Sequence, residues 1–223
     1  YAINDKSLIN EIPNSIETLR QPIFEHNSIL NFFGTKTNKE SAGFLNQNQN
    51  FIGKIIQYIR ANYFIPDARK FWIKPSVKFL SNYLEKNPVD VIITTGPPHS
   101  LHLIGLHLKK KKDIKWISDF RDPWTEIDYF HKMPLNKKAK KKHHQLEREV
   151  LKNSDSVIVV GNTMIDQYLK ETDKVVTITN GFDTSDNKEV SHLDNFFSIT
   201  HVGMMNAYRN PSDLWKILKE ICL

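Results

Sequence analysis

Residues 89–125 read VDVIITTGPPHSLHLIGLHLKKKKDIKWISDFRDPWT, and this stretch decides the fold. A short apolar run over 89–94 predicts a buried strand that stops at Gly96-Pro97-Pro98-His99-Ser100. A helix is expected over 100–110, and a second strand over 115–119 ends in Asp119-Phe120-Arg121-Asp122-Pro123-Trp124. Strand, helix and strand at this spacing make one βαβ unit, with polar and aromatic groups gathered at both strand ends. In open parallel sheets ligands bind beyond the carboxyl ends of the strands. Both strand ends are therefore candidate binding-site wall.

The alternation continues downstream. A long basic helix is expected over 135–152, a strand over 156–160, a short helix over 163–170 and a strand over 175–179 that closes on Asn180-Gly181-Phe182-Asp183. Short apolar strands alternating with helices indicate an α/β fold, a Rossmann-like three-layer parallel sheet with right-handed crossovers. Upstream, Phe51, Ile52, Ile55, Ile56 and Ile59 recur at helical spacing. Pro66 opens a further helical stretch containing Trp72, Val77, Leu80 and Leu84, which Pro75 kinks or restarts. Residues 16–19 read as a short strand and 46–50 as an Asn/Gln-rich loop. The expected organisation is a domain over 1–183, a polar linker over 184–195, and the first strand, loop and helix of a second domain over 196–223.

With 39% hydrophobic and 11% aromatic residues in 223, the chain has material for a real core. No apolar stretch is long enough to span a bilayer and no signal-peptide pattern opens the chain. A single cysteine, Cys222, excludes an internal disulfide framework and fits a cytoplasmic setting. The net charge of +6 comes largely from two runs, 109–112 and 137–144. Such runs favour anionic partners or are simply solvated helix faces. There is no GxGxxG after a strand, no GxxxxGK[ST] and no GxSxG, so dinucleotide binding, P-loop hydrolysis and a serine-hydrolase elbow lack support.

Three clusters can carry chemistry. Gly96 lets the backbone pass close to a ligand, Pro97 and Pro98 stiffen the turn, and Ser100 is placed to cap the following helix. His99 can bond a substrate hydroxyl or act as an acid or base, or it caps and packs. His102 and His107 lie along the same helix without further ligands at metal spacing, so no metal is expected; the adjacent His143 and His144 are expected to face solvent. At the second strand end, Asp119, Arg121 and Asp122 either form a local ion pair or offer a carboxylate to a sugar hydroxyl. Trp124 is then either an apolar platform or part of the core. Asn180 and Gly181 stand where an interdomain cleft would hinge.

At TTGPPHSLHLIG, DFRDPW, SDSVIVVGNTM and ITNGFD, matching in order over residues 66–203, the chain resembles a bacterial family 4 (group 1) glycosyltransferase. The resemblance implies a retaining, metal-independent enzyme of the GT-B fold, with no cofactor and two Rossmann-like domains facing across a cleft. It makes substrate-binding residues of Gly96, Pro97 and Ser100 on the acceptor side of the cleft, of Asp119, Arg121, Asp122 and Trp124 at the neighbouring strand end, and of Asn180 and Gly181 leading into the interdomain linker, with His99 as the catalytic candidate. Gly203 and Arg209 would belong to a loop near the donor phosphates. The partners implied are a nucleotide-sugar donor and a glycan or lipid-linked acceptor in cell-surface polysaccharide synthesis. The lysines over 137–142 would face an anionic membrane surface, at the inner face of the membrane; no nucleic acid is expected. The family's first strand with its Gly-rich loop and its later donor-binding elements are not matched. The chain alone is therefore expected to be inactive. The other readings are a non-catalytic glycan- or nucleotide-binding module and a GT-B-fold nucleotide-sugar epimerase.

Overall fold

The order of the strands settles where the helices must lie. The computed structural model describes residues 12–23, 51–181, 194–203, 205 and 210–221, which divide between two compact units, Tyr1–Asn180 and Gly181–Leu223. In the first, α1 (Phe51–Tyr63), a 3-10 turn (Lys70–Trp72) and α2 (Ile73–Lys86) lead into β1 (Val91–Gly96). Then come α3 (Ser100–Lys112), β2 (Lys115–Phe120), α4 (Lys137–Asn153), β3 (Ser156–Val159), α5 (Asn162–Tyr168) and β4 (Val175–Thr177). The four strands are parallel and stand in sequence order, β1-β2-β3-β4. With right-handed crossovers, that order puts α3, α4 and α5 on one face of the sheet.

Burial follows the same rule. Trp116, Phe120, Val157 and Val159, which alternate towards the helices, are fully buried, with Thr94 and Ser118 among them. On the opposite face Val91, Ile93 and Val176 are exposed, Ile93 by 59%. Residues that share a register position share a face: Ile92 lies beside Trp116 and Thr94 beside Ser118. The α/β parallel sheet read from the sequence is what the chain forms.

Local chemistry sets the element ends. Pro75 sits in the first turn of α2, where its missing N–H has no intrahelical carbonyl to meet, so the helix restarts after the 3-10 turn. Asn136 caps α4 by accepting from Ala139 N at 2.8 Å, which moves the helix start two residues beyond the expected 135. Asp113 closes α3 in the left-handed region. Below the sheet Asp155 accepts from Trp116 N at 2.7 Å and from Lys109, joining the start of β3 to the start of β2.

Residues 16–19, expected as a strand, carry no strand pairing among the described residues, so they lack the ladder of backbone hydrogen bonds that a strand needs. The second unit contains α6 (Ser212–Ile221), where Trp215 Nε1 donates to Asn210 Oδ1 at 2.6 Å. The segment 196–202 likewise has no strand partner among the described residues. Gly203 has φ +130°, a conformation that suits glycine alone. Residues 46–50, Phe182, Asp183, Arg209 and Cys222 lie outside the described residues.

Gly105 is where α3 meets the sheet. A Cβ there would stand 2.4 Å from Trp116 Nε1 and 2.8 Å from Thr94 Cγ2, and both groups are held, since Trp116 Nε1 donates to Thr94 Oγ1 at 2.9 Å. Gly105→Ala therefore forces the helix off the sheet despite alanine's better helix propensity. The expected cost is about 1–3 kcal/mol, read as a melting temperature lower by roughly 3–10 °C. An unchanged or raised melting temperature would refute this packing.

Candidate functional site

The carboxyl ends of β1 and β2 are tied together through Arg121. Its backbone N donates to Gly96 O at 2.9 Å. Its Nε donates to Asp119 Oδ2 at 2.9 Å and its Nη1 to Asn180 Oδ1 at 3.0 Å. Asp119 is nearly buried while Arg121 keeps a third of its side chain in solvent. Asp119 Oδ1 is buried with no hydrogen-bond partner among the described residues. Gly96, Asp119, Arg121 and Asn180, drawn from three separate stretches of sequence, are thus assembled at one end of the sheet. Asp122 and Pro97 are exposed, and Gly181 has open space about it.

The turn after β1 differs from its sequence reading. Ser100 is not the N-cap: His99 holds that position without a side-chain cap bond, and Ser100 is the first helical residue. The cap comes from another loop. Asp67 Oδ2 accepts from Ser100 N at 2.8 Å while its Oδ1 accepts from Arg69 N at 2.8 Å. A carboxylate at the positive end of α3 is favourable, and it occupies the donor that a ligand anion would use. Ser100 Oγ is fully buried with no hydrogen-bond partner among the described residues. Gly96 is required by closeness, since a Cβ there would lie 2.5 Å from His102 Nε2.

Beneath this turn lies an aromatic stack. His99 lies flat on Trp124, with centroids 4.7 Å apart and planes 1° from parallel. His102 stacks on Phe120 at 4.3 Å and bonds Thr94 Oγ1 at 2.9 Å through Nδ1, so it is a core residue. Trp124 is buried too, which removes the open-platform reading: its flat face is already taken by His99. Its Nε1 donates to His143 Nδ1 at 3.1 Å. That bond corrects the expectation of a solvent-facing His143, which is buried in α4 while His144 is exposed.

Glu147 was missed by sequence reasoning, as were Asp67 and Tyr168. Its carboxylate accepts from Thr125 N at 3.2 Å, from Thr125 Oγ1, and from Tyr168 OH at 3.2 Å. Tyr168 OH also accepts from Trp124 N at 3.3 Å. A signal was present: Ala139, His143, Glu147 and Val150 follow helical spacing and form the buried face of α4. The polar members of that stripe hide it from a count of apolar residues alone. Asp67 carries no such mark, because the helix end that it caps is 33 residues away.

Electrostatics follow from burial. His99 is pushed down to about 3 by burial and by neighbouring His143; His143 is pushed down to about 4 by burial and by His144. His102 lies well below the ordinary 6.5, through burial and then His99. Burial raises Glu147, against the pull of its hydrogen bonds from Thr125 and Tyr168. The three rings are therefore uncharged at neutral pH. Among the described residues no group of three His, Cys, Asp or Glu could hold a metal.

The sign of the pH dependence follows. Histidines with lowered folded pKa contribute stability that is fully present above about 6.5 and is lost as pH falls towards the folded values near 4 and 3. Glu147, raised, acts in the opposite sense: its contribution is full below its ordinary 4.5 and fades as pH rises through its folded value. Three histidines outweigh one glutamate, so the melting temperature should fall between about pH 6.5 and 4.5, and His143→Phe should flatten that slope. A flat profile for the unmodified protein would contradict the buried-histidine cluster.

A comparison with curated proteins finds no match. The sequence profile described as Glycosyltransferase Family 4 matches residues 39–186, a span that contains the whole parallel sheet and its strand-end network. The chain belongs to glycosyltransferase family 4.

Proposed function

We propose that this chain supplies the acceptor-side wall of a retaining, metal-independent glycosyltransferase. Such an enzyme moves a sugar from a nucleotide-sugar donor to a glycan or lipid-linked acceptor of a cell-surface polysaccharide, on the cytoplasmic side of a membrane. The observation that carries the reading is the Arg121 junction, where the backbone N–H is bonded to Gly96 O and one half-buried guanidinium to both Asp119 and Asn180, in a chain of this family. Arg121 then offers its remaining N–H groups to an acceptor hydroxyl, fixed in direction by Asp119.

In this reading His99 contacts the transferred sugar or the acceptor as a neutral hydrogen-bond partner. Its low pKa suits a group that orients a hydroxyl without taking its proton. Donor phosphates fall to the loop of Gly203 and Arg209 in the second unit, where charge develops on the leaving diphosphate. Turnover is expected only where a donor-binding half is also present.

His99→Phe is the informative change, because it keeps the stack on Trp124 and removes both ring nitrogens. In the enzyme that contains this chain, assayed with a panel of UDP- and GDP-sugars, transfer should fall about 10- to 100-fold, with the melting temperature little altered. Wild-type transfer by that variant would remove His99 from the site. Sugar binding without transfer would favour a non-catalytic module, and conversion of the nucleotide-sugar without acceptor would favour an epimerase.

A further inference from the structure

Asn180-Gly181, just beyond β4, is the single Asn-Gly pair in the chain, and the fold gives no reason of its own for the glycine. Gly96 and Gly105 are required because a Cβ would strike a neighbouring side chain, and Gly203 because its φ is positive. At Gly181 nothing described lies within 4 Å of where a Cβ would stand, and φ is not in the positive range. Chemistry supplies a reason that packing does not. Asparagine is a thermolabile residue, because the peptide nitrogen that follows it can attack its side-chain carbonyl. A glycine in the next position leaves that nitrogen unscreened and its backbone free to turn.

The surroundings favour that attack. Both residues are exposed. The last main-chain bond of this strand end runs from Ile178 N to Val159 O at 2.9 Å, and Gly181 N has no main-chain acceptor among the described residues. Arg121 Nη1 donates to Asn180 Oδ1 at 3.0 Å. A cationic donor on that oxygen draws electron density from Cγ and stabilises the oxyanion that forms when Cγ is attacked. Asn153-Ser154 has the opposite arrangement: Asn153 Nδ2 donates to Glu149 O at 2.7 Å, and Ser154 N is engaged with Val150 O at 3.0 Å. Asn87 and Asn210 precede proline, which has no N–H to give up.

We propose that Asn180 is a self-modification site, where the chain converts an amide beside Arg121 into a carboxylate with water as the only other reactant. Gly181 N gives its proton to solvent and attacks Asn180 Cγ. The N–Cγ bond forms, the Cγ–Nδ2 bond breaks, and the side-chain nitrogen leaves as ammonia. Water then opens the five-membered succinimide. Opening at Cγ gives aspartate; opening at the main-chain carbonyl gives isoaspartate, with the chain running on through Cβ. Nothing is oxidised or reduced, and the product carries one more negative charge. In the aspartate form this charge replaces the neutral partner of Arg121, whose guanidinium already pairs with Asp119. The strand-end junction thereby changes from a balanced ion pair to a net anion, which alters the ligands that it attracts.

The test is to incubate the folded chain at neutral and at mildly alkaline pH, then digest it and follow each asparagine by mass spectrometry. Isoaspartate is read separately by enzymatic methylation. Product should accumulate at Asn180 ahead of Asn153, and faster at the higher pH, where more of the attacking nitrogen is deprotonated. Gly181→Ala, for which there is space, should slow it about tenfold or more. Arg121→Lys keeps a cation beside Asp119 but loses the fork that reaches both partners, and should slow it about threefold. The Gly181→Ala comparison leaves Arg121 untouched, so it decides the site even if the lysine variant does not fold. An amide at Asn180 that survives as long as that of Asn153, or equal rates in the unmodified chain and Gly181→Ala, overturns the proposal. So does an unchanged rate in Arg121→Lys with an unaltered melting temperature. No sugar transfer is measured, so this inference and the proposed reaction can fail independently.

Discussion

The stack of His99 on Trp124 is the contact on which the strand-end face depends. It joins the turn after β1 to the loop after β2, and Trp124 passes the constraint on to His143 in α4 and Tyr168 in α5. Such a stack requires a buried imidazole. A charged ring over an indole would gain a cation–π attraction of about 0.5–2 kcal/mol. Burial, with His143 nearby, works against the charged ring and holds the His99 pKa down to about 3. Neutral rings then leave Arg121 and its partner Asp119 as the ion pair at the junction of the two strand ends.

The same fold gives two lysine runs different meanings. Where a run faces acidic side chains of neighbouring elements, as Lys109, Lys110 and Lys112 face Asp155, Glu149 and Glu85, it fastens α3 to its surroundings. Exposed pairs of this kind contribute little stability each, but they cancel the local field. At the start of α4 the field is left standing, beside an apolar helix whose open face has no protein partner among the described residues. Charge in sequence is thus a poor guide to charge presented to a partner. Long-range pairing decides which lysines remain available.

Much of the architecture was legible because it rests on local period. Short apolar strands, helices with apolar spacing, and Gly, Pro and Asn at the joints are properties of neighbouring residues, and they marked the βαβ order and the strand ends. Gly96, Asp119, Arg121 and Asn180 were legible as candidates for the same reason: they sit where strands stop. Ser100 was misread as a cap because capping was judged from adjacent sequence, while the fold brings Asp67 to that helix end from a distant loop. His143 was misread because polarity stood in for exposure, although it occupies the buried stripe of α4.

The sequence by itself determined the kind of fold and where its strands end, because backbone periodicity and turn chemistry act over a few residues. Only the tertiary structure decided that His99 and Trp124 close on each other, that Glu147 and Tyr168 brace the loop beneath them, and that three lysines of one run are ion-paired while those of the other have no salt bridge among the described residues. Those outcomes depend on which side chains meet across tens of residues. Burial and pairing, which set charge state and hydrogen bonding, arise only after the chain has brought them together.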